Sequence, residues 1–300
     1  MSLWIPITLA AALFQTLRFM LQRQLSLGTL SASGATLARF MFSAPLVAVL
    51  ILAYMAVTEQ AWPRFGPQFW IYGATGGVAQ IVATICVVRL FKARNFAVGI
   101  TFKNTESIMA LFVGWVVLGD AVGLWALAAV ALGVIGVLIL SAPPELAKVR
   151  PGDMMNKASG LGLASGFLFA VSGVSYRGAS LSLDLSDPIA RAGLTLAAVT
   201  AMQTVALLVW LRWRDPGQVS AVWSARRVAV WVGLMSMAGS FCWFLAFTLQ
   251  NAAFVKAVGQ VELIFGVMAS VLVFREAVSG REWVGMAVLL VSILMLIAVI

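Results

Sequence analysis

Ten apolar runs of about twenty residues fill most of this 300-residue chain, and runs of that length leave few folds open. Backbone groups in hydrocarbon must bond within the protein, so a membrane-embedded chain forms helices or a closed barrel. The runs do not alternate polar with apolar residues, which selects helices. Composition agrees, with 62% hydrophobic residues, 10% charged and a mean hydropathy of +1.01. A soluble domain carries about 25% charged residues.

The runs fall at roughly 3–24, 31–57, 68–91, 95–118 and 121–141, then at 158–180, 187–212, 225–249, 252–274 and 281–300. The longest polar connection, Ser141 to Lys157, holds Pro143-Pro144, Pro151-Gly152 and five charged residues, and it divides five runs from five. The expected fold is an all-α polytopic membrane protein of ten transmembrane helices. Residues 1–141 form a first five-helix repeat, 142–157 a connecting loop and 158–300 a second repeat. An odd number of spans per half gives the halves opposite orientations, so the repeat is inverted.

A gapless alignment of Asn95–Leu140 with Asn251–Leu296 supports duplication. It pairs Ala97 with Ala253, Glu106 with Glu262, Ile108 with Ile264 and Val117 with Val273. Backwards, the same register joins Phe91 to Phe247 and Cys86 to Cys242. A glutamate recurring in register inside apolar segments carries the most weight, because acids there are rare.

Loop charge sets direction. Arg23, Arg89, Lys92, Arg94, Lys148, Arg150, Lys157, Arg212, Arg214, Arg226, Arg227, Arg275 and Arg281 fall on one side of the membrane. The side holding both termini receives Arg64, Arg177 and Arg191, against Glu59, Asp120, Asp184 and Asp187. The termini are therefore expected outside the cytoplasm. The formal charge of +9 lies mostly in these loops and is no nucleic-acid signal. No basic region or cleavage site marks a removable signal peptide. Histidine is absent, and Cys86 and Cys242 read as small buried thiols. No metal or cofactor is expected.

Arg18, Arg39, Lys103 and Lys256 lie within spans, where a charge costs on the order of 2.5–3.5 kcal/mol and faces a cavity or a partner. Lys103 and Glu106 share a helix face, either as a local ion pair or as the lining of a substrate path. Lys256 and Gln260 share a face likewise. Glu262 either bonds a neighbouring helix, orients a substrate ammonium or exchanges a proton. Gln80, after Gly76-Gly77, offers a donor and an acceptor, and Trp243 at comparable depth offers a flat face and one N–H. Phe169 and Tyr176 read as packing residues. Small residues at spacing four, such as Gly162 and Gly166, allow close helix approach. The candidate substrate-binding set is Gln80, Lys103, Asn104, Glu106, Trp243, Lys256, Gln260 and Glu262, in a pocket between the third, fourth, eighth and ninth spans.

These residues resemble the EamA branch of the drug/metabolite transporter superfamily. The resemblance covers essentially the whole chain. It rests on Ala38-Arg39-Phe40, echoed by Ala190-Arg191, and on Val116-Val117-Leu118-Gly119-Asp120 with its second copy Val271-Leu272-Val273-Phe274-Arg275-Glu276. The family often has Glu-Pro within these helices, where this chain reads Glu106-Ser107 and Glu262-Leu263. The resemblance implies ten helices in two inverted repeats. Asn95 to Glu106 is most similar to the YddG-type exporters of aromatic and other neutral amino acids.

The function expected is a secondary transporter in the inner membrane that exports small amphipathic metabolites, most of all neutral amino acids, by alternating access. It would act as a monomer in the lipid bilayer, with a small-molecule substrate and no nucleic acid. The chain contains no Gly-x-x-x-x-Gly-Lys-Ser/Thr fingerprint, so energy would come from a solute or ion gradient. A phosphate or nucleotide-sugar carrier would need more converging Arg and Lys. An intramembrane enzyme acting on lipids or isoprenoids would need paired acids or a nucleophile with a base, and the buried acids here are scattered. A non-transporting membrane scaffold is the remaining class.

Overall fold

The computed structural model describes residues 3–28, 30–93, 106–120, 123–141, 157–274 and 280–299. These form twelve helical segments. They are α1 (Trp4–Leu27), α2 (Ala32–Val57), α3 (Pro67–Ala93), α4 (Glu106–Leu118), α5 (Leu124–Ser141) and α6 (Lys157–Leu181). The remainder are α7 (Pro188–Arg214), α8 (Gln218–Ser224), α9 (Arg226–Leu249), α10 (Ala252–Gly259), α11 (Glu262–Phe274) and α12 (Gly280–Val299). Five of them, α1, α2, α3, α7 and α9, are long and apolar enough to cross a membrane on their own. Their 24 to 27 residues match a hydrocarbon core of about 30 Å at 1.5 Å per residue. The molecule is an all-α multi-pass membrane protein.

Local chemistry sets the helix ends. Ser31 accepts from the Gly34 N–H at 3.1 Å to cap α2, and Asp187 caps α7 through the Ile189 N–H at 2.9 Å with Pro188 in the first turn. Asn251 caps α10 by accepting from the Ala253 N–H at 2.9 Å. Gly119, at φ +68°, ends α4. The Asp120 N–H reaches back to the Gly114 carbonyl at 3.3 Å, a closure that needs a left-handed residue. The short α8 replaces what the sequence presents as loop. It rests on α2, and Trp223 stacks on Phe42 with ring centroids 6.3 Å apart.

Helices of the two halves interleave. α3 packs along α6 and α1 along α9, α2 lies against both α7 and α9, and α5 runs along α12. The α5–α12 contact is close because Gly133 and Gly136 carry no side chains. A Cβ at Gly136 would lie 2.9 Å from the backbone nitrogen of Leu289. One hydrophobic core joins Phe19 of α1, Val174 and Tyr176 of α6, Phe244 of α9 and Val258 of α10. At one end of the bundle the Ser31 N–H donates to Gln218 Oε1 at 2.9 Å. At the other end, Tyr54 donates to Asp187 at 2.8 Å. There too Arg177 lies 3.5 Å from Asp120 and donates to the Phe247 and Gln250 carbonyls at 2.7 Å.

Candidate functional site

The ninth span is two helices with a tight turn between them. α10 ends at Gly259 and α11 begins at Glu262. Through the junction the N–H groups of Gln260, Val261 and Leu263 bond three residues back, to Ala257, Val258 and Gln260 at 3.2, 3.1 and 3.0 Å. Such 3₁₀ winding within a span marks a change of axis. No proline signals it. Gly259 does, because a Cβ there would lie 2.4 Å from Cη2 of Trp243. Gln260, four residues after Lys256, falls in this turn just past the end of α10. Lys256 falls in the last turn of α10 and Glu262 opens α11, each on the helix end whose dipole favours its charge.

Lys256 joins the two halves. Its Nζ lies 3.3 Å from Oε2 of Glu106 on α4, and both residues are buried, at 6% and 2% exposure. Ser107 donates to the Lys256 carbonyl at 3.0 Å. Three aromatic rings surround the ammonium: Trp243 at 4.7 Å, Phe247 at 5.4 Å and Phe169 at 5.9 Å from Nζ to the ring centroid. Trp243 and Phe247 stack on each other, 5.7 Å apart. Phe169, which the sequence presents as a packing residue, is therefore part of the cluster. Gly173 of α6 completes the fit, since a Cβ there would come within 3.2 Å of the lysine stem.

Glu262, the register mate of Glu106, is held differently. Fully buried, it accepts from Gln15 Nε2 at 2.8 Å. Arg18 donates to Gln15 Oε1 at 3.3 Å and to Gln22 Oε1 at 3.2 Å, and Gln22 donates to the Ala35 carbonyl at 3.0 Å. This chain ties α11 to α1 and α2. Gln15, Arg18 and Gln22 fall at i, i+3 and i+7, a polar stripe that helical periodicity could have revealed. Arg39 is also buried and has no carboxylate partner among the described residues. Its Nε donates to Ser236 at 2.9 Å, Nη1 to Thr84 at 3.3 Å and Nη2 to Ser240 at 3.1 Å.

Gln80 is half-buried on α3. Its Oε1 lies 3.0 Å from the Tyr176 hydroxyl and accepts from Gln203 Nε2 at 3.0 Å. Tyr176 is thus a polar partner as well as a packing residue. Among the described residues Gln260, 1% exposed, has no hydrogen-bond partner for either amide atom, and Trp243 Nε1 is buried without an acceptor. Lys103 and Asn104 lie outside the described residues. The structure therefore brings Glu106, Lys256 and Trp243 together, places Gln260 in the turn and Glu262 just beyond it, and sets Gln80 in a separate network. Cys86 and Cys242 are half-buried free thiols.

A cavity of about 310 Å³ opens between α2, α7 and α9. Its walls include Val47, Ile51, Tyr54, Gly193, Met237 and Phe241. It differs in position from the pocket that the sequence places between the third, fourth, eighth and ninth spans.

The class defined by this fold and its buried charges is a polytopic membrane protein with a polar interior. Residues 156–298 match the EamA-like transporter family. No curated protein matches the chain. A solved structure described as "Crystal structure of protein" overlays with a TM-score of 0.68 at 14% identity, covering 99% of this chain and 96% of that one. At that identity the likeness shows a shared fold.

Proposed function

We propose that this chain is a secondary transporter of the inner membrane that exports small amphipathic metabolites by alternating access, with aromatic and other neutral amino acids as its substrates. The observation that carries the proposal is the buried Lys256–Glu106 pair, 3.3 Å apart and joining α10 of the second half to α4 of the first. A charge pair inside a membrane bundle is expensive unless it serves a path or a switch. Apolar walls with isolated donors and acceptors suit a zwitterion bearing an apolar side chain. The match of residues 156–298 to a transporter family supports the same class.

The two halves act as inverted repeats. Helix contacts are consistent with this, because exchanging the halves turns the α3–α6 contact into the α9–α1 contact and leaves α2–α7 and α5–α12 unchanged. The termini lie outside the cytoplasm, as loop charge directs. Residues that this topology assigns to one side meet each other, as with Ser31 and Gln218, or Asp120 and Arg177.

The test is flux from proteoliposomes loaded with labelled phenylalanine, methionine or threonine. Efflux above that of protein-free vesicles for at least one of them supports the proposal. No flux across a broad amino-acid panel refutes the substrate class.

A further inference from the structure

The surroundings of Lys256 Nζ are what an organic ammonium requires. A carboxylate stands at 3.3 Å and three ring faces lie within 6 Å. Such a cage binds a cation through the negative faces of its rings and excludes competing water. Lysine enters it from the last turn of α10. Nearby, among the described residues, the Trp243 indole N–H is buried with no acceptor, and Gln260, next to the Gly259 that seats Trp243, has an unpartnered amide. Buried donors left open beside a filled cation cage fit a ligand with an anionic group close to its ammonium.

We propose that the cage of Trp243, Phe247 and Phe169 closed by Glu106 is the recognition site for a substrate ammonium group, and that Lys256 fills it as an internal competitor when substrate is absent. The ligand class is a primary ammonium with a neighbouring carboxylate and an apolar side chain. The proposal rests on the transporter reading and adds which atoms select the substrate. Binding exchanges one ammonium for another, so the buried carboxylate keeps a cationic partner throughout. The displaced lysine becomes a cation for the substrate carboxylate, beside the open Trp243 N–H.

Equilibrium binding to the full chain in nanodiscs, read by calorimetry and tryptophan fluorescence, tests this. The probes are phenethylamine (ammonium alone), 3-phenylpropionate (carboxylate alone) and phenylalanine. Phenethylamine is expected to bind Lys256→Met at least about tenfold tighter than the unsubstituted chain, and Glu106→Gln in the same background is expected to remove the gain. A folded Lys256→Met that gains no affinity for phenethylamine overturns the proposal. Should Lys256→Met not fold, Phe247→Leu, which removes a ring face of the cage and no N–H, decides instead. Phenylalanine binding is expected to weaken by about tenfold with 3-phenylpropionate unaffected, and an equal loss for both, or none, overturns it. Amino-acid flux with no gain in phenethylamine binding leaves the transporter reading standing and removes the ammonium cage alone. Absence of flux removes that reading whatever the amine does.

Discussion

Lys256 and Glu106 stand 150 positions apart in sequence and meet at 3.3 Å in the bundle interior. Removing either partner takes a 3.3 Å ion-pair contact away from the other's buried charge. Glu106→Leu and Lys256→Met are each expected to destabilise the protein by about 3–5 kcal/mol, while the double variant recovers most of that loss. Thermal unfolding in a double-mutant cycle checks this, and additive losses would mean that the two residues do not act as a pair.

Arg39 presents the opposite case, a buried cation held by three hydroxyls. Lysine at this position keeps the charge and loses the planar fork that reaches Ser236, Thr84 and Ser240. Arg39→Lys is expected to cost about 1–3 kcal/mol, and Arg39→Met less, because it removes the charge along with the bonds. Comparing the two melting temperatures settles the order. A less stable Arg39→Met would show that the guanidinium itself holds α2, α3 and α9 together.

These two residues also mark what was legible in the sequence. The all-helical, membrane-spanning character follows from apolar run length, because the bilayer imposes that length on spanning helices, while the connecting loop lies mostly outside the described residues. Buried charges were visible as exceptions, but their partners were not. By spacing Lys103 shares a face with Glu106 and lies outside the described residues, whereas Lys256, which also meets Glu106, comes from the other half of the chain. No local spacing encodes that meeting. The turn after Gly259 has no proline to signal it, and the Trp243 ring that lies against Gly259 there is a tertiary contact. The partners of Arg39 are serines and threonines, which in a membrane helix ordinarily bond their own backbone and so give no signal.

Helix approach at the α5–α12 contact gives a prediction of packing alone. A Cβ at Gly136 would meet Leu289 backbone at 2.9 Å, and backbone cannot rotate aside. Gly136→Ala is expected to cost about 1–3 kcal/mol of stability. Gly66, with open space around it, serves as the control, and Gly66→Ala should change the melting temperature little. Equal effects at both positions would contradict the close α5–α12 contact.

Orientation is testable by labelling. In a background where Cys86 and Cys242 are replaced by alanine, Trp213→Cys is expected to react with a membrane-impermeant maleimide only from the cytoplasmic side. Gln60→Cys should react only from the outside. Trp213 and Gln60 lie near opposite bundle ends, following α7 and α2 toward loops of unlike charge. The reversed pattern would place both termini in the cytoplasm.

Alternating access is the central claim, and counterflow tests it most directly. Proteoliposomes preloaded with unlabelled phenylalanine and diluted into a trace of the labelled amino acid should accumulate label transiently above the equilibrium level. A carrier that returns faster when loaded produces that overshoot without any coupling ion. Label that rises only to its equilibrium level, unaffected by the internal load, would contradict a site exposed to one side at a time.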